Sequence, residues 1–318
     1  MSEVFLHIGH GKTGSSYLQS VLNLSKEKLL ENGFSYPLEE KDCLDPEKIS
    51  SGNGRLIYEL NLDWLDKNKK VIFSDEHLFR MMCDSRYLNK LSEQFKSLGF
   101  TKAHILLFTR DPVSHAASSY QQSIKRDGNH HSIESRFESY DIPKKVAELI
   151  RTVNSDSFFD IRVYNYSKHK KDLVGRLADW LNLDKSIFSL PKKKTINRSL
   201  TSSELYIQSS FNKHLGKCSA LISDPLCELL PNVKADVILP DTKTQTEMLE
   251  RIKEDINFVN KKFPNEAYRF DVTESQDSIK NKMTLSTEQL EVICNSLAKR
   301  ILEQRNVIKK LKSTKSSD

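Results

Sequence analysis

Short apolar runs alternate with longer stretches of helical periodicity along the first two thirds of the chain. The run AHILLF at 103–108 is continuously apolar, as expected of a strand covered on both faces. Strands are predicted over residues 3–8, 71–74, 103–109 and 158–164, and helices over 17–32, 56–65, 143–152 and 168–183. This alternation predicts an α/β fold in which a central parallel sheet has helices on both faces.

The second half of the chain is predicted to be mainly helical. Residues 246–262 have helical periodicity, and Thr201 with Glu204, like Ser286 with Gln289, has the spacing of a capping box. Three prolines between 221 and 240 indicate an irregular stretch. We predict one domain over residues 1–311, with a core over 1–205, a helical extension over 206–311 and a disordered tail over 312–318.

A glycine-rich turn follows the first strand. The stretch FLHIGHGKTGSSYLQ at 5–19 is typical of strand, turn and helix, with glycines at 9, 11 and 14. Such a turn presents backbone N–H groups and a helix N-terminus to a phosphate, and glycine lets the backbone approach closely. Lys12 adds a positive charge, and Thr13, Ser15 and Ser16 add hydroxyl donors. The turn is therefore a candidate phosphate site.

The turn differs from the P-loop that binds ATP and GTP. That pattern, G-x-x-x-x-G-K-[ST], matches Gly11-Lys12-Thr13 at its end, but its first glycine would fall on Leu6. The nucleoside triphosphate interpretation thus lacks a required glycine.

Charged residues follow two other predicted strands. Arg110 comes directly after the strand at 103–109, and Ser118 lies about two helical turns further on. An arginine can hold a phosphate through two parallel hydrogen bonds. Glu76 follows the strand at 71–74. Because ligands bind beyond the carboxyl ends of parallel strands, we expect Glu76 and Arg110 to lie near Lys12.

These stretches resemble the sulfotransferases that use 3′-phosphoadenosine 5′-phosphosulfate (PAPS). The run K-T-G-S-S after a strand is similar to their 5′-phosphosulfate loop, and Arg110 with Ser118 eight residues later is similar to their 3′-phosphate site. The N-x-S-L-[ST] run at 197–201 resembles the loop that closes over the nucleotide, which makes Arg198 and Ser199 candidate contacts. The resemblance covers residues 1–205 and implies a P-loop-like three-layer fold with a nucleotide-binding core.

The implied reaction transfers a sulfuryl group from PAPS to a hydroxyl and leaves adenosine 3′,5′-bisphosphate. By resemblance to bacterial carbohydrate sulfotransferases, the expected acceptor is a carbohydrate or glycolipid, Lys12 neutralises the leaving oxygen, and Glu76 accepts the proton. No metal is expected. Asp75, His77 and His10 stay open as alternative bases. Two other functions also stay open, an ATP-dependent P-loop kinase and a non-catalytic protein that binds nucleotides or anions.

Composition and charge indicate which kind of ligand and which cellular compartment to expect. The net charge of +6 over 318 residues is modest and scattered, which suits a phosphorylated nucleotide and argues against a nucleic-acid-binding protein. The five cysteines form no C-x-x-C pair and no metal-ligand cluster, as is usual in a reducing compartment. No signal peptide or membrane-spanning run is visible in the sequence, so we expect a cytoplasmic, bacterial enzyme. The oligomeric state is not indicated.

Overall fold

The computed structural model describes residues 2–38, 52–66, 68–191, 198–274 and 284–315. Within these ranges the chain forms an α/β structure around a parallel sheet whose strand order is β2-β3-β1-β4-β5. The strands are β1 (Glu3–Ile8), β2 (Phe34–Ser35), β3 (Lys70–Asp75), β4 (Lys102–Thr109) and β5 (Phe159–Asn165). The predicted fold class is confirmed.

Helices fill the connections between the strands and most of the second half of the chain. In chain order they are α1 (Ser15–Leu24), α2 (Lys26–Glu31), α3 (Glu76–Met82), α4 (Ser85–Ser97), α5 (Pro112–Asp127), α6 (Ile133–Glu138), α7 (Ile142–Val153), α8 (Tyr166–His169), α9 (Leu173–Leu181), α10 (Ser202–Leu215), α11 (Ser223–Leu229), α12 (Thr242–Arg251), α13 (Lys253–Lys262) and α14 (Thr287–Lys315). No helix of the described ranges has both the length and the apolar character needed to cross a membrane.

Apolar packing on both faces of the sheet explains why these strands are continuously hydrophobic. On one face, Phe5, Leu106 and other strand residues pack against α1, α2 and α9 in a single buried cluster. The residues that alternate with them along β1 and β4, such as Leu6 and Ile105, are fully buried as well. Burying a side chain of this size stabilises the fold by roughly 1.5–3 kcal/mol, so this packing contributes strongly to the stability of the sheet.

The strand order creates a switch point beside β1. The chain runs from β1 to β2 and β3 on one side, then places β4 and β5 on the other. Leu6 of β1 is paired in register with Phe73 and Ile105, and Ile8 with Asp75. The carboxyl ends of β1, β3 and β4 thus open at one edge of the sheet, which is where parallel α/β sheets bind ligands.

The chain divides into two compact units. The first comprises Met1–His115, Tyr140–Lys194 and Thr246–Asp271 and contains the sheet. The second comprises Ala116–Ser139, Thr195–Gln245 and Val272–Asp318 and is helical where it is described. The predicted division near residue 205 differs from this arrangement, because segments from both halves of the chain contribute to each unit.

Two of the predicted helices are each divided into two shorter helices. The stretch 17–32 breaks at Ser25, whose backbone leaves the helical region (φ −102°, ψ 4°) while its hydroxyl and its N–H both donate to the Val21 carbonyl. The stretch 168–183 forms α8 and α9, because the Asp172 side chain accepts from the Gly175 N–H and starts a new helix.

Three further predictions were wrong in part. The helix expected over 56–65 is only a 3-10 turn at Gly54–Ile57. The irregular stretch after 221 contains α11, since Pro225 lies in the first turn of that helix, where its missing N–H is tolerated. The tail predicted over 312–318 is helical up to Lys315, and its last three residues lie outside the described ranges. The polar stretch at 39–51 and the lysines at 192–194 also lie outside them.

Candidate functional site

The loop of residues 9–14 joins β1 to α1 through left-handed backbone. The φ angles of Gly11, Lys12 and Gly14 are 81°, 56° and 85°. A Cβ on Gly9 would lie 2.2 Å from the Ser15 hydroxyl oxygen, so only glycine fits there. Helix α1 begins at Ser15 without a side-chain cap, which leaves its first N–H groups available to an anion.

Two hydroxyl groups of this segment are buried without a partner. Thr13 is fully buried and Ser15 nearly so, and neither hydroxyl oxygen has a hydrogen-bond partner in the described part of the chain. An unpaired buried hydroxyl costs roughly 1–3 kcal/mol, so native structures rarely keep one without a reason. A bound ligand with acceptor oxygens would satisfy both groups, and the exposed Ser16 lies next to them.

Arg110 is brought from the end of β4 to this loop. Its Nη1 donates to the Lys12 carbonyl oxygen at 3.0 Å, and its Nε donates to the Ser114 hydroxyl at 2.8 Å. The guanidinium lies 5.4 Å from the centre of the Tyr166 ring. Burial lowers the pKa of Arg110, but an arginine stays charged in proteins. Arg110 therefore lies beside the loop at 9–14 and adds a fixed positive charge there.

Glu76 lies against the same loop from the other side. It is the first residue of α3, directly after β3, and its Oε2 would be 3.5 Å from a Cβ on Gly11. Burial raises the pKa of Glu76, and the nearby positive charge of Lys12 lowers it by less. A carboxylate with a raised pKa is a better base than an exposed one.

The residues on either side of Glu76 have different surroundings. Asp75 is buried and caps α3, since its carboxylate accepts from the His77 N–H at 2.7 Å. His77 is exposed. The helix cap is thus formed by Asp75, which leaves the Glu76 carboxylate for another role.

Two histidines, His10 and His115, contact each other beside the loop, and this contact was not predicted from the sequence. The Nε2 of His115 lies 3.2 Å from the Gly11 carbonyl oxygen and 3.2 Å from Nδ1 of His10, and its Nδ1 lies 2.9 Å from the Tyr140 hydroxyl. A carbonyl oxygen can only accept, so Nε2 of His115 donates to Gly11. Burial lowers the pKa of His10 to about 4, so this ring is neutral at physiological pH.

Three predicted site residues belong to the second unit. Ser118, in α5, is half-buried, and Ser199 is exposed. Arg198 is buried and forms two hydrogen bonds of 2.7 Å with the Glu204 carboxylate. Its other three N–H groups donate to the carbonyls of Ser199, Leu226 and Leu230.

The predicted nucleotide contact of Arg198 is not supported by this arrangement. All five N–H donors of an arginine are accounted for, so the side chain holds the second unit together and has no donor for a ligand. Although burial acts in the opposite direction, Arg198 holds the pKa of Glu204 below its ordinary value. Among the described residues, no group of three or more histidine, cysteine or acidic side chains is placed to hold a metal ion.

Comparison with models of protein families and with curated proteins finds no match for this sequence. Function is therefore inferred from the loop at 9–14, Arg110 and Glu76.

Proposed function

We propose that the protein is a PAPS-dependent sulfotransferase, cytoplasmic and bacterial, that acts on a hydroxyl of a carbohydrate or glycolipid. One observation carries the proposal. At the switch point of a parallel sheet, the loop at 9–14 is flanked by the Arg110 guanidinium and by the Glu76 carboxylate. Transfer from an anionic donor to a hydroxyl requires a positively charged site for the donor nucleotide and a base beside that site.

The loop and Arg110 supply complementary contacts for a doubly charged nucleotide. The uncapped start of α1 and the unpaired hydroxyls of Thr13 and Ser15 suit the oxygens of a 5′-phosphosulfate. Nη2 of Arg110 has no hydrogen-bond partner in the described ranges, so it can donate to a phosphate. The resemblance assigns Ser118 to the same 3′-phosphate, and that role stays a prediction.

Lys12 and Glu76 divide the chemistry between leaving group and nucleophile. When the bond between sulfur and the bridging oxygen breaks, charge develops on that oxygen, and the Lys12 ammonium would neutralise it. Glu76 would take the proton from the acceptor hydroxyl as the new S–O bond forms. The Lys12 charge lowers the pKa of the Glu76 carboxyl, which supports their acting in one site.

The two alternatives fit the geometry less well. A kinase loop would need a glycine at position 6, but Leu6 is a fully buried residue in the middle of β1. A non-catalytic anion-binding protein would not need a base, yet Glu76 lies beside the loop. Both observations favour the sulfotransferase proposal.

Nucleotide specificity tests the proposal directly. At a ligand concentration of about a hundred times the dissociation constant, binding stabilises the fold by roughly 2.7 kcal/mol. We expect adenosine 3′,5′-bisphosphate to raise the melting temperature without Mg²⁺ and ATP or AMP to raise it much less. Labelled PAPS should then transfer sulfate to members of a glycan and glycolipid panel. Equal thermal shifts from ATP and the bisphosphate would refute the proposal.

A further inference from the structure

A lysine and a cysteine of the second unit contact each other in a buried setting. The Nζ of Lys125, near the end of α5, lies 3.0 Å from Sγ of Cys227 in α11. Lys125 is only 4% exposed, and its Nζ also donates to the Arg198 carbonyl at 3.0 Å. Cys227 is half-buried. Neither residue has a part in the proposed sulfotransferase site.

The contact joins two groups that can react in sequence. An ammonium group at hydrogen-bond distance stabilises a thiolate, which is the form that attacks peroxides. The product is a sulfenic acid, whose sulfur is open to attack by a nitrogen nucleophile. Burial lowers the pKa of Lys125, which favours the neutral amine after the first step.

We propose that Lys125 and Cys227 form a covalent nitrogen–sulfur link when the protein meets a hydroperoxide. In the first step the Cys227 thiolate attacks one oxygen of hydrogen peroxide and the O–O bond breaks. The leaving hydroxide takes a proton from the Lys125 ammonium and becomes water. In the second step the Lys125 amine attacks the sulfenic sulfur, the S–O bond breaks, and the hydroxyl leaves as water with a proton from nitrogen.

The two steps balance in atoms and electrons. One hydrogen peroxide is reduced by two electrons to two waters, and the Cys227 sulfur is oxidised by two electrons. The linked protein has lost two hydrogens relative to the free thiol and amine. The link ties α5 to α11 inside the second unit, and it is reversible because a thiol reductant can attack its sulfur.

Peptide mapping of the full-length protein after exposure to hydrogen peroxide tests this assignment. We expect tryptic peptides 111–126 and 218–234 to appear as one species whose mass is two hydrogens below their sum, and dithiothreitol to separate them. Fragmentation assigns the link to Cys227 rather than to Cys218 in the same peptide. Cys83 serves as a matched internal reference, because it is also half-buried and burial raises its pKa to about 11.

Two variants separate the steps. Lys125→Arg keeps the positive charge without a nucleophilic amine, so a sulfenic acid at Cys227 should accumulate and be trapped by a dimedone probe. Cys227→Ser should give neither product. The proposal is overturned if the wild-type peptides stay separate, if the linked species has any other mass, or if Cys227 is oxidised no faster than Cys83. Because no nucleotide or acceptor is involved, these results are independent of the proposed sulfotransferase activity.

Discussion

Replacing Glu76 by glutamine removes the proposed base and keeps the shape of the side chain. General-base help is worth about 10²–10⁴-fold, so turnover with saturating PAPS and acceptor should fall on that scale. Affinity for adenosine 3′,5′-bisphosphate, measured by calorimetry, should stay near the wild-type value, since Arg110 and the loop at 9–14 are unchanged. Asp75→Asn and His77→Ala serve as matched neighbours and should lose less, because one residue caps α3 and the other is exposed.

The same substitution should stabilise the fold, which gives a second, independent readout. Burial raises the pKa of Glu76, so the folded state binds the proton more tightly than the unfolded state and loses stability as pH rises through that range. Glu76→Gln should therefore melt higher than wild type at pH 7, and the difference should vanish below the ordinary glutamate pKa of about 4.3. Near-full activity of Glu76→Gln, or a lower melting temperature at pH 7, would refute this account of the carboxylate.

Further substitutions test other parts of the structure. Lys12→Ala should lower turnover by about a hundredfold or more, the scale of one lost oxyanion donor, while bisphosphate affinity falls less; normal turnover with lost affinity would make Lys12 a binding residue only. Tyr140→Phe removes the hydrogen bond between the Tyr140 hydroxyl and Nδ1 of the buried His115 and should cost about 0.5–1.5 kcal/mol in chemical denaturation; unchanged stability would show that this hydrogen bond does not stabilise the fold. Arg198→Met breaks the buried pair with Glu204 and should cost about 3–5 kcal/mol. The folded fraction of this variant should bind the bisphosphate with wild-type affinity. Lost affinity without lost stability would instead indicate that Arg198 contacts the nucleotide.

The sequence was sufficient to predict four of the five strands and to place Arg110 and Glu76 beside the loop; the two-residue edge strand β2 was not predicted. Continuous apolar runs that alternate with helices are typical of a covered parallel sheet, and the residues that follow such strands share one edge. The role of Arg198 was not predictable in the same way, because its partners include the carbonyls of Leu226 and Leu230, which only folding brings close. The helix break at Ser25 was missed because the apolar periodicity continues across it, although the Ser25 backbone itself leaves the helical conformation.

Arg110 links the shape of the loop to its charge. A non-glycine residue in the left-handed region costs about 1–2 kcal/mol, and Lys12 adopts it with a φ of 56°. The hydrogen bond from Arg110 to the Lys12 carbonyl helps to offset that cost, and a charged donor makes it stronger than a neutral one. The residue proposed to bind the 3′-phosphate therefore also holds the backbone of the residue proposed to neutralise the leaving oxygen. Under the proposed function, a phosphate that draws Arg110 towards itself would also shift the Lys12 backbone, and this one hydrogen bond would couple nucleotide binding to the position of the Lys12 ammonium.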